Sequence, residues 1–305
     1  MDKILQKLYK TVADLDGIPQ EGAYNLRADG VSIARNSTKN ITITSKTEVS
    51  GIDIHIKDGT RGEKLHIPVA LKAAISERVF NDFHIGENCE VTIVAGCGIH
   101  SDCADVSQHD GVHAFYVGKN STVRYIEKHY GTGAGTGARI LNPETVIEVG
   151  EGSVFETETV QIEGVDSASR ITRATLGAKA KLVVREKLMT HGAQKAVTKF
   201  SVELNGAESG ADVVSRSVAK NNSQQEFIAR VAGNNACIGR VECDAIIMDN
   251  ARVSATPEIF AHHVDAQLVH EAAIGKIAGE QIIKLTTLGL TEKQAEQEII
   301  NGFLK

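Results

Sequence analysis

The chain has 305 residues and a mass of 32.7 kDa, which predicts two domains or one elongated domain. Its 33 Lys and Arg residues against 39 Asp and Glu residues give a formal net charge of −6, which argues against a nucleic-acid-binding protein, because such proteins carry basic surfaces. No window approaches the run of about 18 apolar residues that a transmembrane helix requires.

The N-terminal segment predicts a short amphipathic helix. Ile4, Leu8 and Val12 recur at helical spacing, and Gly17 follows the last of them, so we assign residues 1–21 to a helix and a linker. The segment lacks the uninterrupted apolar region of a secretory signal peptide. We therefore expect a cytoplasmic protein whose five cysteines are reduced.

Residues 22–257 predict a long β-structure. Short runs such as Ile52–Ile56 and Thr157–Ile162 alternate apolar and polar residues, as strands with one buried face do. Glycine-led turns recur at spacings of 32, 32, 27, 29 and 27 residues, beginning at Gly86, Gly118, Gly150, Gly177, Gly206 and Gly233. A nearly constant period in this range favours a β-solenoid over the alternative, a β-sandwich with Gly-rich turns.

After Pro257 the chain is predicted to become helical, and the C-terminal region 258–305 is predicted to end in a helical pair. The pattern of Gly279–Leu288 is that of a helix that ends at Gly289. Thr291 and Gln294 then form a capping-box sequence that begins a final helix. The predicted plan is therefore a helix, a long solenoid and a helical pair.

Thiols and imidazoles are concentrated in one stretch, where the candidate metal ligands are Cys89, Cys97, Cys103, His109 and His113. Since residues i and i+4 of a strand share a face, His109 and His113 are placed to meet one ligand. Thiolate and imidazole together suit zinc or iron. The spacing matches no zinc finger, so the alternative is a buried thiol with histidines on a solvated loop.

A second group surrounds Cys243. Cys237 and Cys243 have the same parity on a predicted strand and therefore face the same side, although free cysteines are usually small apolar core residues. His270 lies 27 residues beyond Cys243, about one repeat, and is followed by Glu271. We expect this pair to stack directly beside Cys243, the alternative being a surface pair without a function.

Two Gly-containing stretches are not nucleotide-binding motifs. Residues 131–137 match neither GxGxxG nor a P-loop and predict a flexible loop. Residues 273–276 resemble the end of a Walker A motif but lack its first Gly and its Ser or Thr. We therefore assign no nucleotide site to the chain.

The stretch from His270 to Phe303 reads His-Glu-Ala-x-Ile-Gly-Lys-Ile-x-x-Glu-Gln-Ile, then Leu-Gly-Leu-Thr-Glu-Lys-Gln-Ala and Ile-Ile-Asn-Gly-Phe. It resembles the C-terminal region of the SufB/SufD family, scaffold proteins of iron–sulfur cluster assembly. The similarity extends upstream through Glu242-Cys243-Asp244 and Gly96-Cys97. The resemblance implies a right-handed parallel β-helix core, dimerisation through the β-helices, and a C-terminal region that docks the ABC-type ATPase SufC.

The resemblance also implies site residues. Cys243 matches a proposed cluster ligand of SufB, Glu271 the glutamate that works with it, His270 the adjacent histidine, and Cys97 the cysteine thought to receive sulfur. The chain is shorter than bacterial SufB and carries both Cys243 and Glu271, a pairing that SufD usually lacks. It therefore resembles a minimal SufB-like homodimer, a non-catalytic scaffold that holds a transient cluster for recipient apo-proteins.

Two other functions remain as alternatives. A zinc- or iron-binding protein would use the Cys89–His113 group without sulfide. A β-helix carbohydrate-active enzyme is disfavoured, since five Tyr, eight Phe and no Trp supply few aromatic surfaces for sugars. The sequence leaves open the cluster type, the sulfur donor, the recipient proteins, and whether the chain pairs with itself or with a paralogue.

Overall fold

A computed structural model describes residues 2–305. The molecule is a β-solenoid of about eight turns, with one short helix at its N-terminal end and two helices at its C-terminal end. The prediction of a mainly β-solenoid chain is therefore confirmed. None of the helices among the described residues is long and apolar enough to cross a membrane.

The described residues begin with helix α1 (Lys3–Ala13). The strands that follow are β1 (Ala23–Ala28), β2 (Val31–Asn36), β3 (Ile41–Ser45), β4 (Gly51–Ile56), β5 (Arg61–Leu71), β6 (Ser76–Ile85), β7 (Glu90–His100), β8 (Ser107–Val117), β9 (Thr122–Thr132), β10 (Arg139–Leu141), β11 (Glu144–Val149), β12 (Val154–Glu163), β13 (Ser167–Leu176), β14 (Lys181–Thr190), β15 (Lys195–Leu204), β16 (Ser209–Ala219), β17 (Gln224–Gly233), β18 (Cys237–Ile247), β19 (Arg252–Ala261) and β20 (Ala266–Gly275). The last helices are α2 (Gly279–Thr287) and α3 (Glu292–Phe303).

The strands form two sheets that enclose the interior. The first sheet has the order β2-β1-β5-β7-β9-β12-β14-β16-β18-β20, and the second has the order β19-β17-β15-β13-β10-β8-β6-β4-β3. In the second sheet β11 continues β10 and also pairs with β8 and β13. Pairing is parallel throughout, except for the antiparallel pairs β1–β2 and β3–β4 at the N-terminal end. Each turn of the solenoid therefore adds one strand to each sheet.

Glycines allow successive turns to stack closely. The amide of Gly118 donates to the carbonyl of Ile85, 2.8 Å away, and a Cβ on Gly118 would lie 2.7 Å from the backbone of Gly86. A Cβ on Gly206 would lie only 2.0 Å from the amide nitrogen of Ala178. These contacts explain the glycine repeat seen in the sequence. Gly233 departs from it, because this residue ends a strand rather than starting a turn.

The core lies between the inner faces of the two sheets. Apolar side chains at alternate strand positions fill it, and an aromatic stack lies near its centre, where the rings of Phe83 and Phe115 are 4.3 Å apart and Phe155 meets Phe115 edge-on at 5.0 Å. Helix α1 covers the outer face of the first sheet with Leu8 and Val12, both fully buried. The solenoid thus packs repeated Val, Ile and Ala layers without tryptophan.

The solenoid extends further than predicted. Strands continue past Pro257, the predicted boundary of the core, and end at Gly275. Pro257 lies in β19, the edge strand of the second sheet, where a missing amide donor is tolerated. The helical region therefore begins only at Gly279, and α3 packs Ile300 against the solenoid. The capping box of Thr291 is present as predicted.

The glycine-rich stretch 131–137 differs from the predicted flexible loop. The amide of Gly135 donates to the carbonyl of Ser101 at 2.9 Å, and that of Gly137 donates to the carbonyl of Cys103 at 3.0 Å. A Cβ on Gly137 would lie 1.9 Å from the carbonyl oxygen of Asp105. The glycines let this segment pack backbone to backbone on the loop that carries Cys103.

Candidate functional site

Cys243 lies inside the solenoid near its C-terminal end. Its strand, β18, is the last but one of the first sheet, and the register places Cys243 between Ser215 of β16 and Ala272 of β20. The side chain is 2% exposed. Burial, with smaller effects from the carboxylates of Glu186 and Asp244, raises the pKa of the Cys243 thiol to about 12. The thiol is therefore protonated at neutral pH unless a metal displaces its proton.

His270 faces the same interior from β20. It pairs with Val241, so it lies on the same face of the sheet as Cys243, on the next strand and one inward position away. Neither ring nitrogen of His270 has a hydrogen-bond partner among residues 2–305, although both atoms are buried. Burial lowers the pKa of His270, so the neutral, metal-ligating imidazole is favoured. His270 is available as a ligand.

Glu271 lies on the opposite face. It pairs with Glu242, and its carboxylate accepts a hydrogen bond of 2.9 Å from the Arg240 guanidinium on the outer surface. The predicted direct stacking of His270-Glu271 on Cys243 is wrong, because the strands are offset by 29 residues and Ala272 lies beside Cys243. Within one chain the structure therefore brings His270 towards Cys243 and directs Glu271 away.

A row of buried polar side chains extends along the interior to Cys243. The sequence analysis did not predict it. One inward row of the first sheet contains Ala95, Glu127, Thr159, Glu186, Ser215 and Cys243 in successive turns. Glu127 forms a fully buried ion pair with Arg170, and Glu186 lies 3.8 Å from the same guanidinium. Arg170 and His129 hold the pKa of Glu127 well below its usual range despite its burial. Ser215 donates to Glu186 at 2.6 Å.

A signal for this network was present in the sequence. Glu127 and Glu186 follow buried Tyr125 and Val184 by two residues, which places both carboxylates on inward positions of their strands. An acidic residue at an inward position requires a buried partner, and that requirement predicts a cation across the core. The partner, Arg170, belongs to the opposite sheet, so only the folded register identifies it.

Cys97 lies in the N-terminal half of the same interior. Its strand is β7, it pairs with His129 of β9, and its side chain is 2% exposed. Burial raises the pKa of the Cys97 thiol, and the carboxylates of Glu77 and Glu127 add to the effect. Cys97 borders a chamber of about 10 Å³, room for about one water molecule.

His109 and His113 line this chamber on one face of β8, as predicted from their spacing. The Nδ1 atom of His109 lies 2.9 Å from Glu77, and that of His113 lies 2.7 Å from the hydroxyl of Tyr125. Their Nε2 atoms both lie beside Gly111, at 3.2 and 3.5 Å from where its Cβ would be. Burial lowers the pKa of His113 to about 4, so this imidazole is neutral.

The five predicted metal ligands do not form one metal site. Cys89 is buried in the apolar core, with its sulfur 3.1 Å from the carbonyl oxygen of Lys57, and Cys103 is exposed on a surface loop. Only Cys97, His109 and His113 line a common space. Within residues 2–305 no group of three or more His, Cys, Asp or Glu side chains is arranged to hold a metal ion. The residues are separated because Cys89 precedes β7 and Cys103 lies in the loop between β7 and β8, whereas Cys97, His109 and His113 lie on the strands themselves.

The C-terminal end of the solenoid leaves two strand edges unpaired among residues 2–305. β19 ends the second sheet and β20 ends the first. Apolar side chains on this last turn are exposed, including Phe260 and Val269. Cys243 therefore lies one strand away from an open edge.

Comparison with known proteins finds a protein family that this chain resembles. Residues 73–303 match the SufBD core domain of the SUF system for iron–sulfur cluster assembly. A SufBD family iron–sulfur cluster assembly protein of Methanothermobacter thermautotrophicus is 29% identical over 264 residues, covering 84% of this chain and 63% of the relative.

Two further relatives carry the same description. The protein of Pyrococcus horikoshii is 29% identical over 287 residues, covering 89% of this chain and 83% of its own length. That of Archaeoglobus fulgidus is 28% identical over 252 residues, covering 80% of this chain and 66% of its own length. The chain thus spans less than two thirds of the Methanothermobacter and Archaeoglobus proteins.

Proposed function

Since the chain belongs to the SufBD family of iron–sulfur cluster assembly proteins, we propose that it is a cytoplasmic scaffold, not itself an enzyme, on which a transient cluster is built and then released. The observation that carries this proposal is the inward pair formed by Cys243 and His270, whose ring nitrogens have no partner among residues 2–305. Thiolate and imidazole are ligands that iron accepts, and fewer than four thiolates suit a cluster that must be released.

The proposed cluster lies at the interface of a homodimer. One chain supplies one thiol and one imidazole at this place, and a two-fold axis would double both. The unpaired edges of β19 and β20, together with the exposed Phe260 and Val269, support pairing at this end of the solenoid. A paralogous chain with the same edge is the alternative partner.

In this proposal Glu271 reaches the cluster when its edge strand, β20, moves. Its side chain is 57% exposed, and its ion pair with Arg240 is a surface pair worth little. β20 pairs with β18 alone, so its shift upon dimerisation or cluster release disturbs the hydrogen bonds of one strand pair only. Release under the control of a SufC-like ATPase would use such a shift. In this proposal α2 and α3 dock the ATPase, and the exposed Ile283 and Leu288 of the α2 region supply an apolar contact.

Sulfur reaches the cluster through the interior in this proposal. Cys97 is the acceptor, and the row from Glu127 through Ser215 supplies polar groups between Cys97 and Cys243. The raised pKa of both thiols means that each must pass its proton to a base as it binds sulfur or iron. The cluster is afterwards passed to recipient apo-proteins.

Anaerobic reconstitution tests the proposal. The chain is purified without oxygen, supplied with ferrous iron and sulfide, and assayed for bound iron, acid-labile sulfide and mass. We expect comparable amounts of iron and sulfide in a dimer, loss of both in Cys243→Ser, and retention in the matched control Cys237→Ser, a buried thiol of the same strand. Iron or zinc without sulfide, unaffected by Cys243→Ser, would overturn the scaffold and favour the zinc- or iron-binding alternative.

A further inference from the structure

Two imidazoles of the Cys97 chamber present unprotonated nitrogens to one space. The Nδ1 atom of His109 lies 2.9 Å from a carboxylate oxygen of Glu77. Although burial opposes it, the hydrogen bonds from His109 and Arg27 hold the pKa of Glu77 below its ordinary value, so this group is a carboxylate and can only accept. The hydrogen of the neutral His109 ring is therefore on Nδ1, and Nε2 carries a lone pair.

His113 has the same tautomer for a different reason. The hydroxyl of Tyr125 donates to the ionised Glu127 at 3.0 Å, so its oxygen accepts from Nδ1 of His113 at 2.7 Å. Nε2 of His113 is therefore also unprotonated. Each imidazole thus has one nitrogen fixed by a partner and the other directed into the chamber, which is the arrangement of histidines that ligate metals.

Gly111 leaves the space between these nitrogens open. It lies between the two histidines on the inward face of β8, and the point where its Cβ would lie is 3.2 Å from Nε2 of His109 and 3.5 Å from Nε2 of His113. Any other residue would place a carbon atom there. Two buried lone pairs that face one space need a cation or a hydrogen-bond donor between them.

The third histidine of the chamber is not available in this way. Arg170 donates to Nδ1 of His129 at 3.2 Å, which occupies that lone pair and leaves the hydrogen of the neutral ring on Nε2. His129 therefore differs from His109 and His113, although all three line the same chamber.

The charge around the chamber favours a cation. Arg27 pairs with Glu77 at 2.8 Å, whereas Arg170 is shared between Glu127 and Glu186, the latter at 3.8 Å. Together these side chains carry one net negative charge. A zinc ion with one bound thiolate contributes one positive charge and balances it.

We propose that the Cys97 chamber binds one zinc ion through Nε2 of His109 and Nε2 of His113, with the Cys97 thiolate as the third ligand and water as the fourth. Imidazole nitrogen and thiolate sulfur are ligands that zinc takes in proteins. Zinc bound here would also keep Cys97 as a thiolate despite its burial. That consequence alone rests on the proposed role of Cys97 as the sulfur acceptor.

Binding requires movement of the Cys97 side chain and a path for the ion. No group of three ligands is preformed among residues 2–305, so the thiol turns towards the imidazoles, and its proton passes to the buffer as the Zn–S bond forms. A path lies in the second sheet, where β10 ends at Leu141 and β11 begins at Glu144. Pro143, in this gap, lines the chamber and has no amide to pair.

Zinc titration tests the site. The chain is stripped with a chelator, and zinc is titrated in competition with a chromophoric chelator, without iron or sulfide. We expect one zinc per chain in the wild type and in the matched control His129→Gln, and loss of this zinc in His109→Gln and Gly111→Ala. Gly111 does not have a left-handed backbone, so alanine fits the strand and its methyl group fills the space between the nitrogens. Thermal unfolding in the chelator verifies that each variant is folded.

Cobalt(II), bound in place of zinc, reports the third ligand. A bound thiolate gives a sulfur-to-cobalt charge-transfer band in the near ultraviolet. We expect this band in the wild type and in Cys89→Ser, which removes a buried thiol outside the chamber, and its loss in Cys97→Ser. A band that persists in Cys97→Ser, or its absence from the wild type, would remove Cys97 from the site.

Zinc retained in His109→Gln or Gly111→Ala, or lost equally in His129→Gln, overturns the ligand assignment. A wild type that binds no zinc overturns the site and leaves an ordered water between the nitrogens. Cys243→Ser should bind zinc as the wild type does, so the site and the scaffold can fail separately. Zinc binds such ligands more tightly than ferrous iron, so the sulfide and iron bound on reconstitution still report the Cys243 site.

Discussion

The two ends of the solenoid are built differently. At the N-terminal end short antiparallel strands, β2 with six residues and β3 with five, end the sheets, and α1 covers an outer face. At the C-terminal end the last turn presents two parallel strands, β19 and β20, of ten residues each and largely exposed. Short edge strands limit association, whereas long, apolar edges invite it. The contrast supports the proposal that a partner chain pairs at the C-terminal end, because the N-terminal end presents only short edge strands.

The buried ion pair of Glu127 and Arg170 should have the largest effect on stability. We expect Glu127→Ala to lower the free energy of unfolding by about 3–5 kcal/mol, because the variant leaves the Arg170 guanidinium buried without its carboxylate. Urea denaturation measures it. Arg124→Ala removes an exposed, 3.8 Å partner of Glu158 and should cost less than about 1 kcal/mol. Equal losses would mean that the network is hydrated rather than buried.

The pH dependence of stability tests whether the imidazole of His113 is buried and neutral in the interior. The pKa of His113 is about 4 in the folded chain and 6.5 in its ordinary state, so the unfolded chain binds more protons as pH falls. The stability contributed by neutral His113 is present above pH 6.5 and is lost as pH falls towards 4. We expect the wild type to lose about 2 kcal/mol more than His113→Gln between about pH 7 and pH 4.5.

Denaturation of both chains at the two pH values measures this difference. His55→Gln, a substitution on the outer face of β4, is the control and should lose as much stability as the wild type does. If His113→Gln also matched the wild type, the imidazole would be protonated or solvated in the fold.

Substitutions at the C-terminal edge strands should change the strength of dimerisation rather than the stability of the fold. Val269 is 51% exposed on β20, and we expect Val269→Lys to weaken dimerisation roughly tenfold, because it places charges at an apolar edge. Sedimentation velocity measures the dissociation constant. Val31→Lys, similarly exposed at the other end, is the matched control and should leave it unchanged. A dimer disrupted by Val31→Lys instead would place the interface at the N-terminal end.

The period of the glycine turns was sufficient to predict the solenoid, since close stacking leaves only glycine room at positions such as Gly118 and Gly206. The parity of Cys237 and Cys243 likewise predicted that both thiols face one side. These features depend on the local geometry of strands and turns. Sequence patterns report them directly.

The details of the site depended on register, which the sequence did not define. Turn spacings vary from 27 to 32 residues, so the separation of 27 residues predicted that His270 lies beside Cys243, whereas the strands are offset by 29. Adjacent residues of a strand point to opposite faces, so no register of a β20 that stays paired with β18 could bring both His270 and Glu271 to Cys243 at once. Pro257 marks the predicted end of the strands, since proline usually interrupts a sheet. Only the order of the strands shows that it lies in an edge strand, where proline is tolerated.

The smallest expected effect concerns the helices beside the open end. The Thr291 hydroxyl accepts a hydrogen bond from the amide of Gln294 at 3.3 Å, and the Gln294 side chain bonds back to the Thr291 amide at 2.9 Å. We expect Thr291→Ala to cost about 1 kcal/mol, because it leaves helix amides without an acceptor. Hydrogen exchange should accelerate in α3 while the solenoid interior stays protected. Thr287→Ala, whose hydroxyl donates to Lys284 at the end of α2, is the control. Faster exchange at β20 in Thr291→Ala would mean that α3 holds the edge strand in place, and that a protein docking on these helices can move His270.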